Sequence, residues 1–530
     1  MRVVLISPHG SLIAYGLRTL SACLKQAGHS VRMIFLPFAE EVEPIPGRQP
    51  VLRYSEEQLG QLADLCGGAG LVGITCSTLH FPRVADMTNR LKRKIAAPVI
   101  WGGIHPTVDP ESCLGHADLV CVGEGERLIV ELAGRLSRGE EIRDIPNLAR
   151  RAGDGQVERN SLYPLVTELD ALPFPDYGPE DHFVLHDGRL VPLTTPLLAW
   201  HLTDGYTFGN GSAYHIWATR GCPHRCAFCG NSVYRELYPD WSKVRRMSPE
   251  RIADEIEVLR RAMPFVTETA FMDDTFFSAS DEAIEEFARV YRRRIGLPFF
   301  ACASPSTLSK RKMEALVAAG LRYVWVGIQS GSNRIQDLYR RGDSAERIRA
   351  AAGMLHEYRD IIRRPVYDVI IDPIFQRRAD QRETIALLAG LPRPFQTAVY
   401  SLTFFPGTEI TRRALAENRI DPRRLDPEKS LVRLEKTYYR FLLWLSGRRI
   451  PRRILRLMNG KPAWAIVAGK LFAPVWKTVG AVLDHRESRA LVRWTMAHRT
   501  RILRAYFPDE PLGPIRDPFL KALGRTNSAG

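Results

Sequence analysis

The chain has 530 residues, which is too long for one hydrophobic core and indicates about three domains. Its composition, 45% hydrophobic and 25% charged residues, is that of a globular protein and excludes a disordered or fibrous chain. The nine cysteines are odd in number and scattered, which excludes a disulfide framework and predicts a reducing, cytoplasmic location.

Residues 1–140 alternate apolar runs with helical patterns. Continuous β-branched runs between helices are typical of a parallel, doubly wound sheet, so we predict an α/β, Rossmann-like domain. The predicted strands are Val3–Ser7, Val31–Phe35, Leu71–Cys76, Val99–Gly103 and Leu119–Val122, and the predicted helices lie around Gly16–Ala27, Arg83–Ile95 and Glu126–Leu136.

The loops at the carboxyl ends of these strands are the expected ligand site of such a sheet. Four such loops lie at 7–10, 75–79, 102–107 and 123–126, and glycines in three of them would let a large flat ligand lie against the backbone. A nicotinamide domain would need G-x-G-x-x-G after the first strand, and a receiver domain would need acids where Ser7 and Cys76 stand. A domain that binds no ligand remains an alternative.

Two further regions follow before the basic end of the chain. Residues 141–212 are rich in Pro, Gly and Asp, and we predict a linker with an inserted loop. Residues 213–420 return to strand–helix alternation, as in a barrel of parallel strands with helices around it. In barrels of alternating strands and helices, the chemistry lies at the carboxyl ends of the strands. Six strands are predicted, near 214–218, 267–273, 298–302, 322–328, 366–371 and 397–403.

Three cysteines follow the first of these six strands with C-x3-C-x2-C spacing: Cys222, Cys226 and Cys229. An iron–sulfur cube normally takes four thiolates, so three would hold three irons and leave the fourth open to a substrate or cosubstrate. The alternative is a structural zinc site with His215 or His224 as its fourth ligand.

Polar residues also follow the later strands. Asp273 and Asp274 come after the second strand, where a carboxylate could accept a hydrogen bond from an amine, although at least one of them is expected to cap the following turn. Asp368 and Asp372 are predicted either to pair with Arg364 or Arg377 or to line a substrate pocket, and the charged stretch 339–343 is predicted to be a solvated face.

In their order and spacing these motifs resemble the radical S-adenosylmethionine (SAM) proteins that carry a cobalamin (B12)-binding domain, over roughly residues 1–420. The resemblance implies a partial (β/α)6 barrel whose three cysteines hold a [4Fe-4S] cluster, with SAM chelated by the open iron. The SAM contacts that it implies are Phe228, Asp273, Asp274, Ser304, Gln329, Ser330, Pro406 and Gly407.

The same resemblance implies a cobalamin-binding domain at 1–140. The residues implied to contact cobalamin are Ser77, Thr78, Gly102, Gly103, His105, Gly123 and Glu124. Relatives that ligate cobalt with a histidine carry D-x-H-x-x-G. His9 lacks both the Asp two residues before it and the Gly three residues after it, so we expect no lower histidine ligand.

The last region, 421–530, is predicted to be helical and strongly basic. From Glu428 to Gly530 there are 21 Lys and Arg against 7 Asp and Glu, a net +14 of the total +15. Pro474 and two lysines interrupt its longest apolar stretch, which argues against a membrane span. Two interpretations stay open: helices that lie on an anionic membrane surface, and a helical cap on the barrel.

The resemblance implies an enzyme that cleaves SAM to a 5′-deoxyadenosyl radical and, most simply, methylates an unactivated carbon of a small-molecule or lipid-like substrate. An electron donor such as flavodoxin or ferredoxin would then be a partner. The alternatives are a radical oxidative cyclase of the anaerobic magnesium-protoporphyrin ester cyclase type and a noncatalytic cobalamin-binding protein. A nucleic-acid substrate is not favoured, because no RNA-binding module is recognisable.

Overall fold

The computed structural model describes residues 1–37, 40–41, 52–202, 212–421 and 437–507. Two sheets organise these residues, one of nine strands and one of six. No described helix is both long enough and apolar enough to cross a membrane.

The nine-stranded sheet is the predicted doubly wound domain with additional strands at both edges. Its five core strands are parallel and close to the predicted bounds: β1 Arg2–Ser7, β2 Ser30–Phe35, β3 Leu71–Thr75, β4 Val99–Gly102 and β5 Leu119–Cys121. The helices of this domain are α1 Tyr15–Gln26, α2 Glu56–Leu65, α3 Phe81–Leu91, α4 Ile104–Val108, α5 Pro110–Cys113 and α6 Glu126–Arg138.

Both faces of this sheet are buried. Along β1, Val3 and Leu5 belong to one hydrophobic cluster, whereas Val4 and Ile6 belong to another. Successive side chains of a strand point to opposite faces, so an uninterrupted apolar run is what a sheet covered on both sides requires.

The segment predicted as a linker contributes four strands to this sheet. β6 Leu148–Arg151 and β7 Val157–Arg159 extend it antiparallel beyond β5, while β8 Phe183–His186 and β9 Arg189–Pro192 form a hairpin beside β2. The strand order is β9-β8-β2-β1-β3-β4-β5-β6-β7. These strands have three or four residues each, too few for their alternation to stand out within a Pro- and Gly-rich stretch.

The second sheet is an open half-barrel of six parallel strands, each paired with the next along the chain. This confirms the predicted barrel. Its strands are β10 Ser212–Ile216, β11 Val266–Phe271, β12 Phe299–Ala303, β13 Leu321–Gln329, β14 Val366–Ile371 and β15 Gln396–Ser401. The accompanying helices are α7 Thr195–Leu202, α8 Asn231–Leu237, α9 Pro249–Ala262, α10 Asp281–Arg294, α11 Lys310–Ala319, α12 Asn333–Leu338, α13 Ala345–Glu357, α14 Arg378–Gly390 and α15 Glu409–Ala416.

Serine side chains cap the N-termini of four outer helices of the half-barrel. Ser248, Ser280, Ser309 and Ser344 each accept a hydrogen bond from the backbone N–H three residues later, at the starts of α9, α10, α11 and α13. Such caps satisfy an N–H that has no partner within the helix, and replacing one by Ala costs about 1 kcal/mol.

The C-terminal region is helical, as predicted, and packs on the half-barrel. Its helices are α16 Tyr438–Ser446, α17 Arg452–Met458, α18 Lys461–Val467 and α19 Ala473–Tyr506. Leu442 and Leu443 of α16 are fully buried, and Thr397 of β15 donates a hydrogen bond to the Leu443 carbonyl at 3.1 Å. The parts of the basic region at 422–436 and 508–530 lie outside the described residues.

Candidate active site

The three cysteines lie on one loop at the carboxyl end of β10. The loop starts after the short strand Thr219–Arg220, which pairs with Arg245–Arg246. Cys222 and Cys226 are buried and Cys229 is partly buried, and all three thiols are free of disulfides. The structure therefore brings the three predicted cluster ligands together on a single loop.

Backbone hydrogen bonds hold this loop from several sides. The Ala227 N–H donates to the Tyr339 carbonyl at 2.9 Å, and the Ile410 N–H donates to the Ala227 carbonyl at 2.9 Å. Arg235 of α8 donates to the Cys222 carbonyl at 2.9 Å. The loop is thus positioned by elements that follow β10, β13 and β15.

Two polar side chains donate to the sulfur atoms. Arg341 Nη1 lies 3.4 Å from Cys226 Sγ, and Asn231 Nδ2 lies 3.6 Å from Cys229 Sγ. Burial raises the pKa of Cys222 to about 12 and that of Cys229 to about 11, so these thiols hold their protons at neutral pH. A bound metal centre would deprotonate them, because it binds the thiolate form.

These residues fit an iron–sulfur cluster. Three unpaired thiols occupy one loop, and donors aimed at two of the sulfurs would stabilise thiolates. Among the described residues, no three His, Cys, Asp or Glu side chains converge closely enough to ligate one ion. A cluster does not require that convergence, because each thiolate binds its own iron.

The charged stretch 339–343 is not the solvated face that its sequence predicts. Tyr339 and Asp343 are fully buried, and only 9% of the Arg341 side chain is exposed. Of the charged residues in this stretch, only Arg340 is exposed, and it pairs with Glu409 at 2.8 Å. The prediction was wrong because charge content shows only that a residue needs a polar partner, and the partners here come from distant strands.

Those partners fix the guanidinium of Arg341. Arg341 Nη2 donates to the Ser304 hydroxyl and to the Gly327 carbonyl, both at 2.8 Å, and Nε lies 3.4 Å from Asp343. With the Cys226 contact, this residue joins the ends of β12 and β13 to the cysteine loop. Ser304, predicted as a SAM contact, is therefore next to the candidate cluster.

The two adjacent acids after β11 occupy different environments. Asp273 is buried and accepts a hydrogen bond from the Thr219 N–H, and its other oxygen has no partner among the described residues. Burial, with the neighbouring Asp274, raises the pKa of Asp273 to about 7. Asp274 is exposed and accepts from Asn231 Nδ2 at 2.9 Å. Asp273 thus anchors the strand before the cysteine loop, and Asp274 is the one free to meet a ligand.

Gln329 and Ser330, the two predicted SAM contacts at the end of β13, also lie in different environments. Gln329 has φ +57°, and its amide lies close to Gly327, where a Cβ would stand 2.7 Å from Gln329 Nε2 and 2.8 Å from Arg341 Nη2. Ser330 is fully buried, with its hydroxyl 3.2 Å from that of Thr384. Gln329 therefore faces the Arg341 side of the site, whereas Ser330 faces α14.

The remaining predicted SAM residues border the cysteine loop. The ring of Phe228 packs edge-on against Tyr339 at 5.2 Å. Pro406 and Gly407 lie in the turn before α15. Gly407 has φ +73°, and a Cβ there would lie 3.2 Å from Val233 in α8, the helix that follows the loop.

Asp372 and Asp368 do not make the arginine pairs proposed from the sequence. Asp372 accepts the N–H groups of Ile374 and Phe375, each at 2.8 Å, and the Tyr339 hydroxyl at 3.0 Å, so it closes a turn. One carboxylate oxygen of Asp368 is buried without a hydrogen-bond partner among the described residues. Burial raises the pKa of Asp368 to about 7.

A cavity of about 830 Å³ is lined by both sheets. Its wall on the nine-stranded side includes the loops after β1, β4 and β5 and the start of α1, and its wall on the half-barrel side includes Gly221 and Asp274. Cofactor and ligand sites typically measure about 300 to 1,000 Å³. The cavity therefore extends from the predicted cobalamin loops to the edge of the cysteine loop.

Glycines leave this cavity open. Gly16 and Gly102 both line it, and a Cβ at Gly16 would meet no atom within 4 Å, while one at Gly102 would make only an ordinary contact of 3.7 Å. A larger side chain at either position would enter the cavity instead of clashing with the protein. This is the wall that a large planar ligand such as cobalamin requires, and in this respect the residues fit it.

The residues predicted for cobalamin fall into two groups. Gly102, Gly103, Gly123 and Glu124 line the cavity. The other three, Ser77, Thr78 and His105, make hydrogen bonds elsewhere: Ser77 to His80 at 2.6 Å, and Thr78 to His105 at 3.2 Å. Both ring nitrogens of His105 lie within hydrogen-bonding distance of a hydroxyl, and burial lowers its pKa to about 4.

Ion pairs across the cavity wall tie the two sheets together. Glu124 lies 2.8 Å from Arg245 and 3.5 Å from Arg220, and Glu126 lies 2.6 Å from Arg220. Arg220 immediately precedes the cysteine loop. Glu124 thus positions that loop as well as lining the cavity.

Sequence reasoning missed the inner face of the half-barrel as part of the site. His215, Trp217, Met272, Trp325 and Tyr400 line the cavity. His215 is 4% exposed, and its Nε2 has no hydrogen-bond partner among the described residues. The available signal was the period-two alternation along the predicted strands, which places Tyr323, Trp325 and Gly327 on one face of β13.

The comparisons with known proteins agree with this architecture. The sequence-family model for the B12-binding domain matches residues 1–133, and the sequence-family model for the radical SAM superfamily matches residues 218–371. An uncharacterized methyltransferase of Pyrococcus horikoshii is 28% identical over 278 residues, covering 51% of this chain and 54% of the relative. The anaerobic magnesium-protoporphyrin IX monomethyl ester cyclase of Synechocystis is 25% identical over 261 residues, covering 48% of this chain and 44% of the relative.

The chain spans about half the length of these curated relatives. Among solved structures, the cobalamin-dependent SAM radical enzyme OxsB, with aqua-cobalamin and SAM bound, has a TM-score of 0.64 at 14% identity over 99% of this chain and 83% of that one. This likeness concerns the fold. The chain thus carries a B12-binding domain followed by a radical SAM domain, which agrees with its resemblance to the radical SAM proteins that carry a cobalamin-binding domain.

Proposed function

We propose that this chain is a cobalamin-dependent radical SAM enzyme that methylates an unactivated carbon of a small-molecule or lipid-like substrate. The observation that carries the proposal is the single cavity of about 830 Å³, which connects the glycine loops of the nine-stranded sheet, Asp274 beside the cysteine loop, and the inner face of the half-barrel. Methyl transfer requires methyl donor, radical source and substrate to meet in one place, and this cavity has a wall suited to each.

When bound, a [4Fe-4S] cluster with SAM would supply the 5′-deoxyadenosyl radical, and cobalamin would supply the methyl group. Cys222, Cys226 and Cys229 would hold the cluster. Asp274 would accept hydrogen bonds from the SAM amine, because it is the exposed member of its acidic pair and Asn231 orients it at 2.9 Å. Arg341 would stabilise the Cys226 thiolate.

We propose the other predicted SAM contacts as well, and the structure supports them to different degrees. Ser304 and Gln329 lie on the Arg341 side of the cysteine loop, and Phe228 and Gly407 border it. Ser330 has the least support as a SAM contact, because its hydroxyl is hydrogen-bonded to that of Thr384 in α14. For cobalamin, Gly102, Gly103, Gly123 and Glu124 are supported by their place in the cavity wall.

The substrate compartment would be the inner face of the half-barrel. Trp217, Trp325 and Tyr400 give it an aromatic wall, which favours a flat or apolar substrate. Burial lowers the pKa of His215 to about 4, so its imidazole is neutral at physiological pH and can exchange a hydrogen bond with a polar group of the substrate.

A radical oxidative cyclase is the second candidate, because one curated relative is an anaerobic magnesium-protoporphyrin ester cyclase. The two functions differ in what happens to SAM. Protein reconstituted with cluster and cobalamin, then given reductant and methyl-labelled SAM, should form both S-adenosylhomocysteine and 5′-deoxyadenosine, with label on the cobalamin. Deoxyadenosine without any transfer of label would favour the cyclase, and neither product would contradict both.

The surface of the C-terminal helices supports a peripheral contact between this region and a membrane. Residues 437–477 contain nine Lys or Arg and no Asp or Glu. Large apolar side chains are exposed on the same segment, among them Leu457 at 77%, Ile466 at 63% and Leu471 at 87%. Basic residues beside exposed aliphatic ones are typical of helices that lie in an anionic lipid interface. Reduction of the cluster would also need an electron donor such as flavodoxin or ferredoxin.

A further inference from the structure

A second cavity, of about 550 Å³, lies at the opposite edge of the half-barrel from the cysteine loop. We call it the arginine cavity, because its wall contains Arg364, Arg393, Arg448 and Arg449, together with Trp444 and Gly447. Arg364 precedes β14 and Arg393 precedes β15, so the cavity lies at the amino ends of these strands. The cysteine loop follows the carboxyl end of a strand parallel to them, so the two sites are separate.

Contacts between β15 and α16 shape this cavity. Arg393 Nη1 donates to the Ile450 carbonyl, and Thr397 Oγ1 donates to the Leu443 carbonyl at 3.1 Å. Gly447 packs against the start of β15, where a Cβ would lie 3.2 Å from the Phe395 carbonyl oxygen. The arginines therefore line a shaped cavity between two packed elements.

The charge of this cavity is one-sided. Its described wall contains four guanidinium groups and no Asp or Glu. Nε and Nη2 of Arg393 are buried and have no hydrogen-bond partner among the described residues. Burial, together with the nearby Arg452, lowers the pKa of Arg393, as expected for a cation without a counter-charge. Unpartnered buried donors are costly, and a ligand that accepts from them would remove that cost.

The chemistry of the wall indicates the class of ligand. Guanidinium groups match the oxygens of phosphate in a bidentate geometry. Trp444 adds a flat apolar wall, and the guanidinium of Arg448 lies over its ring at 4.4 Å. We propose that the arginine cavity binds a phosphate-bearing anion with at least two negative charges, held by Arg393 and the exposed arginines around it, with Trp444 against the remainder of the ligand.

Calorimetric titration of the full-length protein with inorganic pyrophosphate, at about 0.15 M salt, tests this inference without any need for catalysis. We expect saturable binding that weakens at least about tenfold in Arg393→Gln, which keeps a polar side chain but removes the charge. Because Arg393 also contacts Ile450, the exposed Arg449→Gln is the second variant and should weaken binding too. Arg293→Gln, on the exposed surface of α10, is the matched control and should leave it unchanged.

Sedimentation with vesicles containing phosphatidic acid distinguishes the two sources of a phosphate group. Loss of sedimentation in Arg393→Gln and Arg449→Gln, with no binding of free pyrophosphate, would assign a lipid headgroup. Binding of pyrophosphate in solution would assign a soluble ligand. Either result supports the site. Absence of both, or binding that Arg293→Gln weakens as much as Arg393→Gln and Arg449→Gln do, would overturn the inference.

Discussion

The guanidinium of Arg341 lies 3.4 Å from the sulfur of Cys226, although the two residues are 115 positions apart in the sequence. The same guanidinium donates to Ser304 and to the Gly327 carbonyl, so its position is fixed before any cluster binds. A fixed positive charge beside a thiolate stabilises the more negative, reduced state of a cluster. Arg341 is therefore expected to act through the cysteine ligand, as a positioning and electrostatic residue.

Replacing Arg341 should change the cluster's electrochemistry more than its assembly. In Arg341→Gln the three thiolates remain, so iron and sulfide content should be retained while the midpoint potential falls by on the order of tens of millivolts. Arg341→Lys should restore part of the difference, and Arg340→Gln, at the exposed neighbour, should have no effect. Spectroscopic redox titration makes the measurement. An unchanged potential in Arg341→Gln would show that the guanidinium does not act on the cluster.

Stability should depend on pH through Asp368. Its pKa in the folded protein is raised to about 7, so between about pH 4 and pH 7 the folded state holds a proton that the unfolded state has released. Stability should therefore fall as pH rises through that window. Asp368→Asn carries no titrating group and should reduce the fall, by about 2 to 4 °C in the unfolding temperature.

Thermal unfolding at a fixed scan rate, on either side of that window, measures this effect. Asp273, whose pKa is also raised to about 7, should leave a residual pH dependence in Asp368→Asn. Asp337→Asn, at an exposed position, is the control and should behave as the unaltered protein does. A pH dependence that Asp368→Asn leaves intact would place the titrating group elsewhere.

Cobalamin binding should depend on the open glycine wall. A side chain at Gly102 would project into the cavity, so Gly102→Leu should weaken cobalamin binding by at least about tenfold. Gly153→Leu is the control, since Gly153 is exposed and its Cβ would meet nothing within 4 Å. Equilibrium dialysis gives the affinities, and equal binding by both variants would remove Gly102 from the site.

The same complex tests the expectation that no histidine ligates cobalt. Electron paramagnetic resonance of the cob(II)alamin form should lack nitrogen splitting from an axial imidazole. His9 lines the cavity, but its Nδ1 faces that of His80 at 3.2 Å. A split signal that His9→Ala abolishes would reverse the expectation.

The sequence was sufficient for the parts of this molecule that local pattern determines. The five parallel core strands of the nine-stranded sheet and the six strands of the half-barrel lie within a few residues of their predicted bounds, because buried parallel strands are continuous apolar runs. Strands β6 to β9 were missed because short strands amid Pro and Gly carry little periodic signal. Arg341 was missed because its burial depends on Ser304 and Cys226. His215, which the sequence offered only as a zinc ligand, and Trp325 were not predicted to line a cavity, because a shared cavity is a property of two sheets together.

Membrane contact through the C-terminal helices should depend on exposed leucines as well as on charge. The protein should sediment with phosphatidylglycerol vesicles and less so at high salt, since each Lys or Arg near an anionic surface contributes about 1 kcal/mol. Leu457→Ser with Leu471→Ser should reduce partitioning at least about tenfold, because each buried Leu contributes about 1.5 to 3 kcal/mol. Val258→Ser, which removes an exposed apolar side chain of α9, is the control. Equal, negligible binding to anionic and neutral vesicles would contradict the membrane interpretation.

We expect Cys222, Cys226 and Cys229 to hold a cluster that cleaves SAM. The most direct measurement is the iron, sulfide and 5′-deoxyadenosine content of anaerobically reconstituted protein incubated with SAM and a reductant. We predict about four irons and four sulfides per chain, deoxyadenosine formation, and loss of that formation in the alanine variants of Cys222, Cys226 and Cys229 but not in Cys23→Ala. Stoichiometric zinc without sulfide in anaerobically prepared protein, and no deoxyadenosine, would contradict it.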